Sequence, residues 1–167
     1  MSPYTYTLQA FTYTVLRSGW SEVAFRPRVR WQRGPRYEVS SQSDVLGELV
    51  AAVIALLQGA ERRECVWHSD FARDTVRLDR ERAKLRIEIN SWFPPRRRKT
   101  TEDLDREPWR FTVSLLYFAK QLRHQLTVLL NRWGLDGYQT MWPFPFPLDA
   151  YRTLGQLIDE RTEPSTP

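Results

Sequence analysis

The stretch SQSDVLGELVAAVIALLQGA, residues 41–60, decides how the rest of the chain is interpreted. Between Val45 and Leu57 only Gly47 and Glu48 are not apolar. A helix with so small a polar face is buried on most of its sides. The apolar run is too short to cross a bilayer, so it predicts a helix at the centre of a protein core.

The ends of this helix carry their own signals. Ser41, followed three residues later by Asp44, resembles a capping box in which Asp replaces the usual Glu. Gly59 is placed to stop the helix.

Segments that alternate apolar and polar residues flank this helix on both sides. In the first of them, Tyr4, Tyr6 and Leu8 alternate on one parity and Phe11 begins an alternation on the other. Such a slip predicts a bulge near residues 9–10. Further strand patterns occupy WSEVAFRP, RVRWQRGPRYEVS, ECVWHSD, DTVRLDRE and AKLRIEINSWF.

Two amphipathic helices follow the strands. The first is predicted from Ser114 to Gly134, after a short possible strand, and the second over residues 148–160. The intervening residues 135–147 are interpreted as a loop. The order of elements predicts an α+β fold, in which an antiparallel sheet of five to six strands packs against the apolar central helix and the C-terminal helices. Residues 1–160 are expected to form one domain and residues 161–167 a flexible tail.

The chain is basic, with a net charge of +5 and 22 Arg against three Lys among its 167 residues. A GC-rich genome explains such a bias, and so does a need for forked hydrogen bonds to carboxylates or phosphates. The single cysteine, Cys65, excludes an internal disulfide and is consistent with a reducing cytoplasm. The N-terminal residues do not form a secretory signal.

Two clusters of cations compete as contact surfaces. The run Arg96–Lys99 is followed at once by four carboxylates, and residues 96–107 carry a net charge of only +1. Residues 17–38 carry six Arg against two Glu, a net charge of +4. The upstream cluster is therefore the stronger candidate. It is either a charged edge that blocks aggregation, a surface for an acidic protein, or a surface for nucleic acid.

Seven residues are the candidate contacts with a partner. Within the upstream cluster, strand spacing predicts that Arg26, Arg28 and Arg30 share one face. The aromatic residues of MWPFPFP are either core or anchors at an interface. The full candidate set is Arg26, Arg28, Arg30, Arg33, Arg36, Trp142 and Phe144.

Catalytic patterns are weak, so no enzyme, cofactor or metal site is predicted. Cys65 and His68 point to opposite faces of their strand, and His124 lies on a polar helix face. No phosphate-binding loop, dinucleotide motif or nucleophile elbow occurs. The remaining enzymatic option is a carboxylate site assembled from the acidic residues of the later strands, namely Asp70, Asp74, Asp79, Glu81 and Glu88.

The whole pattern resembles that of small bacterial proteins of the toxin-immunity type. The resemblance rests on Trp67, Val76, residues 85–89, Gly137-Tyr138, Trp142 and Phe146-Pro147. It implies a cytoplasmic, non-enzymatic protein that neutralises a toxin by occluding it. The basic charge then indicates an acidic protein partner. No association with a membrane is expected, because the longest apolar stretch is too short to span a bilayer. The alternative is a nucleic-acid-associated accessory protein that uses the same Arg-rich face.

Overall fold

Seven strands and three helices occupy the described part of the chain. The computed structural model describes residues 5–17, 19–29, 33–70, 72–93 and 108–162. The strands are β1 (Thr5–Arg17), β2 (Trp20–Pro27), β3 (Arg36–Ser40), β4 (Arg62–His68), β5 (Arg73–Glu81), β6 (Lys84–Trp92) and β7 (Trp109–Ser114). The helices are α1 (Val45–Leu57), α2 (Leu115–Met141) and α3 (Leu148–Thr162).

These strands form one mixed sheet in the order β3-β2-β1-β7-β6-β5-β4. The α+β class is confirmed, and the expectation of an antiparallel sheet of about five to six strands was only roughly right, because the sheet has seven strands and is mixed. β1 and β7 pair in parallel, from Thr5–Arg110 to Thr7–Thr112, and all the other described pairs are antiparallel. Local alternation identifies a strand but carries no information on a partner about 100 residues away, which is why the parallel pair was missed.

The sheet is so strongly curved that its inner face surrounds the core. Phe25 of β2 stacks on Trp67 of β4 with ring centroids 6.3 Å apart. In a flat sheet of this order, five strand spacings would separate these two strands by about 24 Å. The curvature brings the aromatic residues of opposite ends of the sheet into one cluster, in which Phe11, Phe25 and Phe111 are buried.

A short polar seam joins the two edge strands. Ser40 Oγ of β3 donates a hydrogen bond to the carbonyl of His68 in β4, at 3.2 Å, and the His68 amide donates to Ser43 Oγ, at 3.0 Å. Helix α1 connects these strands and packs against β4 and α3. The sheet and α1 together therefore form an incomplete barrel around the core.

Helix α2 takes the place of a neighbouring strand along much of β1. Only Thr5, Tyr6 and Thr7 of β1 pair with β7. Further along, Gln121 Oε1 accepts a hydrogen bond from the Phe11 amide at 2.7 Å, and Gln125 Oε1 accepts one from the Tyr13 amide at 3.3 Å. Four residues of helix rise about 6 Å and two residues of strand about 6.7 Å, so the two spacings match.

Replacing Gln121 with leucine should lower the free energy of unfolding by about 1–3 kcal/mol, because the Phe11 amide then lacks an acceptor. The Gln9 carbonyl would also lose the bond that Gln121 Nε2 donates at 3.1 Å. Chemical denaturation followed by circular dichroism measures the change. Gln156→Leu, on the exposed face of α3, is the matched control. Equal losses in the two variants would contradict the role of Gln121.

The ends of α1 differ in part from the prediction. Asp44 is the N-cap and accepts a hydrogen bond from the Gly47 amide at 3.1 Å, so the Ser41–Asp44 capping box was wrong. At the other end, the carbonyl of Leu56 accepts from Arg80 at 3.1 Å, and that of Leu57 accepts from Arg161. The Leu56 carbonyl also accepts from the Gly59 amide at 3.2 Å, and the two guanidinium groups add cationic donors at the carbonyl end of the helix.

Arg161 also shows that α3 is longer than predicted. The helix continues to Thr162 and includes the first two residues that the sequence assigned to a tail. Residues 163–167 lie outside the described residues.

The segment predicted as a loop after Gly134 is largely helical. Gly134 has φ 64° and ψ −174°, a left-handed conformation that glycine adopts without steric cost, and it breaks α2 there. The helix nevertheless resumes and ends only at Met141. The glycine is therefore a kink, and the second half of α2 carries Tyr138 into the core.

Candidate functional site

A groove of about 1000 Å³ opens on the outer face of the sheet, where β1, β2 and β3 lie side by side. Four of the predicted contact residues line it: Arg26, Arg28, Arg33 and Arg36. All four side chains are exposed. The structure thus brings together four of the five arginines that the sequence singled out. They are positioned by β2, by the β2–β3 turn and by the start of β3, and not by one strand alone.

Short side chains line the groove on the outer face of the sheet. In the register of the three strands, Ala10 lies opposite Arg26, Thr12 opposite Ala24, and Ala24 opposite Arg36. Small residues at three adjacent outward positions leave space between the longer cations. The sequence alone does not reveal this arrangement, because it depends on the register of three strands.

The turn between β2 and β3 positions the remaining arginines. β2 ends at Pro27, so Arg28 lies just beyond the strand, but it lines the same groove as Arg26, and Arg30 lies outside the described residues. The Arg28 amide donates to the Thr7 carbonyl at 2.8 Å and so ties the turn to β1.

Gly34 lets the returning chain pass very close to β2. A Cβ at this position would lie 1.6 Å from the Phe25 carbonyl oxygen. The adjacent Pro35 carbonyl accepts a hydrogen bond from the Phe25 amide at 3.1 Å. The approach fixes Arg33 and Arg36 on the rim of the groove.

The groove has an excess of positive charge that the described residues do not neutralise. Arg36 forms an ion pair with Glu22 at 3.2 Å, and its side chain remains 73% exposed. No described carboxylate lies within ion-pair distance of Arg26, Arg28 or Arg33, and none lines the groove. These three guanidinium groups are available to an external anion.

A second cleft on the molecule shows the opposite arrangement. It has a volume of about 590 Å³ and lies among β4, β5 and β6. Arg62 pairs there with Asp79, and Arg86 pairs with Glu81 at 2.8 Å. Its charges compensate one another internally, so it offers no net attraction to an anion.

The carboxylates considered for an enzyme do not form a cluster. Asp74 is buried on the inner face, whereas Glu88 lies on the outer face between Arg77 and Arg110, at 3.7 and 2.7 Å. Burial acts to raise the pKa of Glu88, but the hydrogen bonds from Arg110 and Asn90 lower it overall. Asp79 and Glu81 belong to the compensated cleft. Among the described residues, no three Asp, Glu, His or Cys side chains are placed to hold a metal ion.

Cys65 is a core residue. It is 2% exposed, and burial raises the pKa of its thiol to about 12. The thiol is therefore protonated at neutral pH and a poor nucleophile. Burial alternates along β4, which places His68 on the other face from Cys65.

The two aromatic candidates are not exposed anchors. Trp142 is 1% exposed and belongs to the core, so its proposed contact with a partner was wrong. Phe144 is half-buried and packs against the same core. The neighbouring rings Tyr138 and Phe146 meet edge to face at 5.5 Å, which explains why this segment turns inward.

The basic run Arg96–Lys99 and the rest of residues 94–107 lie outside the described residues. Within the described ranges, no helix is both long and apolar enough to cross a membrane.

Comparison with protein families, with curated proteins and with solved structures finds no match for this chain. Its function must therefore be argued from the geometry of the groove.

Proposed function

We propose that this protein binds an acidic segment of another protein in the groove between β1, β2 and β3. The supporting observation is the set of four exposed arginines, Arg26, Arg28, Arg33 and Arg36, around short side chains and without a lining carboxylate. Planar guanidinium groups bind carboxylates through two parallel hydrogen bonds. The binding would be non-enzymatic. The protein would act by covering the surface of its partner.

The surroundings of the groove favour protein carboxylates over nucleic acid. Proteins that bind single strands combine cations with exposed aromatic rings on which bases stack. Among the described residues that line the groove, the one aromatic residue is Phe25, which is 1% exposed. Beyond the groove, the outer face of the sheet mixes cations with Glu22, Glu38 and Glu88, so the excess of positive charge is local and suits a short acidic segment better than a long phosphate backbone.

The specific form that we propose is an immunity protein that neutralises a bacterial toxin in the cytoplasm. An immunity protein must occupy a functional surface of its toxin, and an Arg-lined groove fits a toxin that presents carboxylates. The sequence resemblance favours the same role.

Removing the unpaired arginines should weaken binding of a fluorescent hexaglutamate peptide at least tenfold at low ionic strength. The variant is Arg26→Gln/Arg28→Gln/Arg33→Gln, and fluorescence anisotropy measures the affinity. Three surface ion pairs of about 0.5 kcal/mol each account for a tenfold change. The matched control, Arg63→Gln/Arg73→Gln/Lys84→Gln, removes the same charge from exposed positions outside the groove.

Two outcomes would overturn the proposal. Equal losses in the two triple variants would show that only net charge matters. Tighter binding of a single-stranded DNA hexamer, with a steep dependence on salt, would instead support the nucleic-acid alternative.

A further inference from the structure

A smaller depression lies on the other side of β1 from the Arg-lined groove. It has a volume of about 310 Å³ and is formed where α2 packs beside β1. Ala10 and Thr12 line both depressions. The two hollows are therefore adjacent parts of one surface, which crosses β1 over its short side chains.

The second depression is also cationic. Lys120 and His124 of α2 line it, and no carboxylate does. Both side chains are exposed, and no described carboxylate forms an ion pair with Lys120. The neighbouring polar side chains, Gln121 and Gln125, are already committed to the backbone of β1. Lys120 is thus an exposed cation of this depression without a described carboxylate partner, and it can bind a carboxylate of the ligand.

Beyond Lys120 the surface carries a carboxylate. In the hollow between α2 and α3, which Lys120 also lines, Arg123 pairs with Asp159 at 3.3 Å. A carboxylate on that side would repel an acidic segment. The unbalanced cations therefore extend from the β2–β3 turn to the β1 side of α2.

We infer that the bound acidic segment is extended, runs across β1, and reaches from the arginines to Lys120. This inference rests on the proposed function. β3, β2 and β1 span about 10 Å and α2 adds about 10 Å, so the distance is about 20 Å. An extended chain covers at most about 3.5 Å per residue, and six residues are needed. A three-residue segment can fill the Arg-lined groove but does not reach α2.

Peptide length and Lys120 together test the inference. Lys120→Gln should weaken binding of hexaglutamate about threefold to fivefold, the loss of one exposed ion pair of up to 1 kcal/mol. It should leave binding of triglutamate unchanged. Lys84→Gln, at an exposed position on β6, is the matched control. It should change the binding of triglutamate and of hexaglutamate by the same factor. An unchanged thermal midpoint shows that Lys120→Gln remains folded.

The failure of this inference can be distinguished from that of the proposed function. If Lys120→Gln and Lys84→Gln weaken hexaglutamate equally while the arginine triple variant still loses binding, the groove binds acidic segments but the surface does not extend to α2. Equal loss of triglutamate and hexaglutamate in Lys120→Gln would also overturn the extended path. If the arginine and control triple variants lose binding equally, the proposed function itself fails.

Discussion

Replacing Trp67 with alanine is expected to lower the free energy of unfolding by about 3–5 kcal/mol, a large fraction of the total for a domain of this size. Trp67 is 0% exposed. Its ring stacks on Phe25 and meets Tyr37 edge to face, with both centroid distances 6.3 Å. The indole therefore fills the space between the two ends of the curved sheet, and alanine would leave a cavity there.

Chemical denaturation followed by circular dichroism measures this loss. Trp92→Ala is the matched control, because Trp92 is 55% exposed and its removal should change stability by no more than about 0.5 kcal/mol. If Trp67→Ala does not fold, Trp67→Phe retains a ring and should show a smaller loss. Equal effects at positions 67 and 92 would contradict the assignment of Trp67 as a core contact between the two ends of the sheet.

Replacing Asp74 with asparagine is expected to stabilise the protein by about 2–3 kcal/mol at pH 8. Asp74 is 3% exposed and lies on the inner face between Trp67 and Ser91. Its carboxylate accepts one hydrogen bond, from Ser91 Oγ at 2.5 Å, and no described cation pairs with it. Burial raises the pKa of Asp74 from 3.8 to about 6. Two pKa units correspond to about 3 kcal/mol.

The sign of the pH dependence follows from the direction of this shift. The folded protein holds the proton on Asp74 more tightly than the unfolded chain, so stability from this group is present below about pH 4. It is lost as the pH rises to about 6 and remains lost above that. Asparagine does not ionise, and the advantage of Asp74→Asn should therefore appear between pH 4 and 6 and vanish below pH 4.

Unfolding free energies at a series of pH values test this expectation. Asp136→Asn, which changes an exposed carboxylate on α2, is the control. Its free energy of unfolding should differ from that of the unmodified protein by the same amount at every pH. A constant difference between Asp74→Asn and the unmodified protein from pH 3 to 8 would contradict the ionisation of a buried carboxylate.

Elements with a regular local pattern could be predicted from the sequence. The apolar run of α1, the bulge near Gln9 and the start of α2 after Ser114 all appear where the pattern placed them. The errors occurred where distant contacts decide the structure. The parallel pairing of β1 with β7 depends on residues 105 positions apart, such as Thr5 and Arg110. Likewise, helix resumes after Gly134 because Tyr138 and Trp142 pack in the core.

In the candidate site too, local sequence predicts some features and distant contacts decide the others. A local count of charge identified the arginines between residues 26 and 36, and the groove contains four of them. The short side chains of Ala10, Thr12 and Ala24 make room for a ligand only because three strands place them side by side. The contribution of Lys120 depends on the packing of α2 beside β1. Neither feature could be predicted without knowing which elements are neighbours in the fold.

The completion of β1 by α2 also has a consequence for the order in which the chain folds during synthesis. The hydrogen bond from the Phe11 amide to Gln121 joins residues 110 positions apart. At a translation rate of 5–20 residues per second, β1 has left the ribosome's catalytic centre roughly 5 to 20 s before Gln121 is added. During that interval β1 and β2 can form a hairpin, but one edge of β1 stays open to pairing with other nascent chains. The late arrival of α2 ends that exposure.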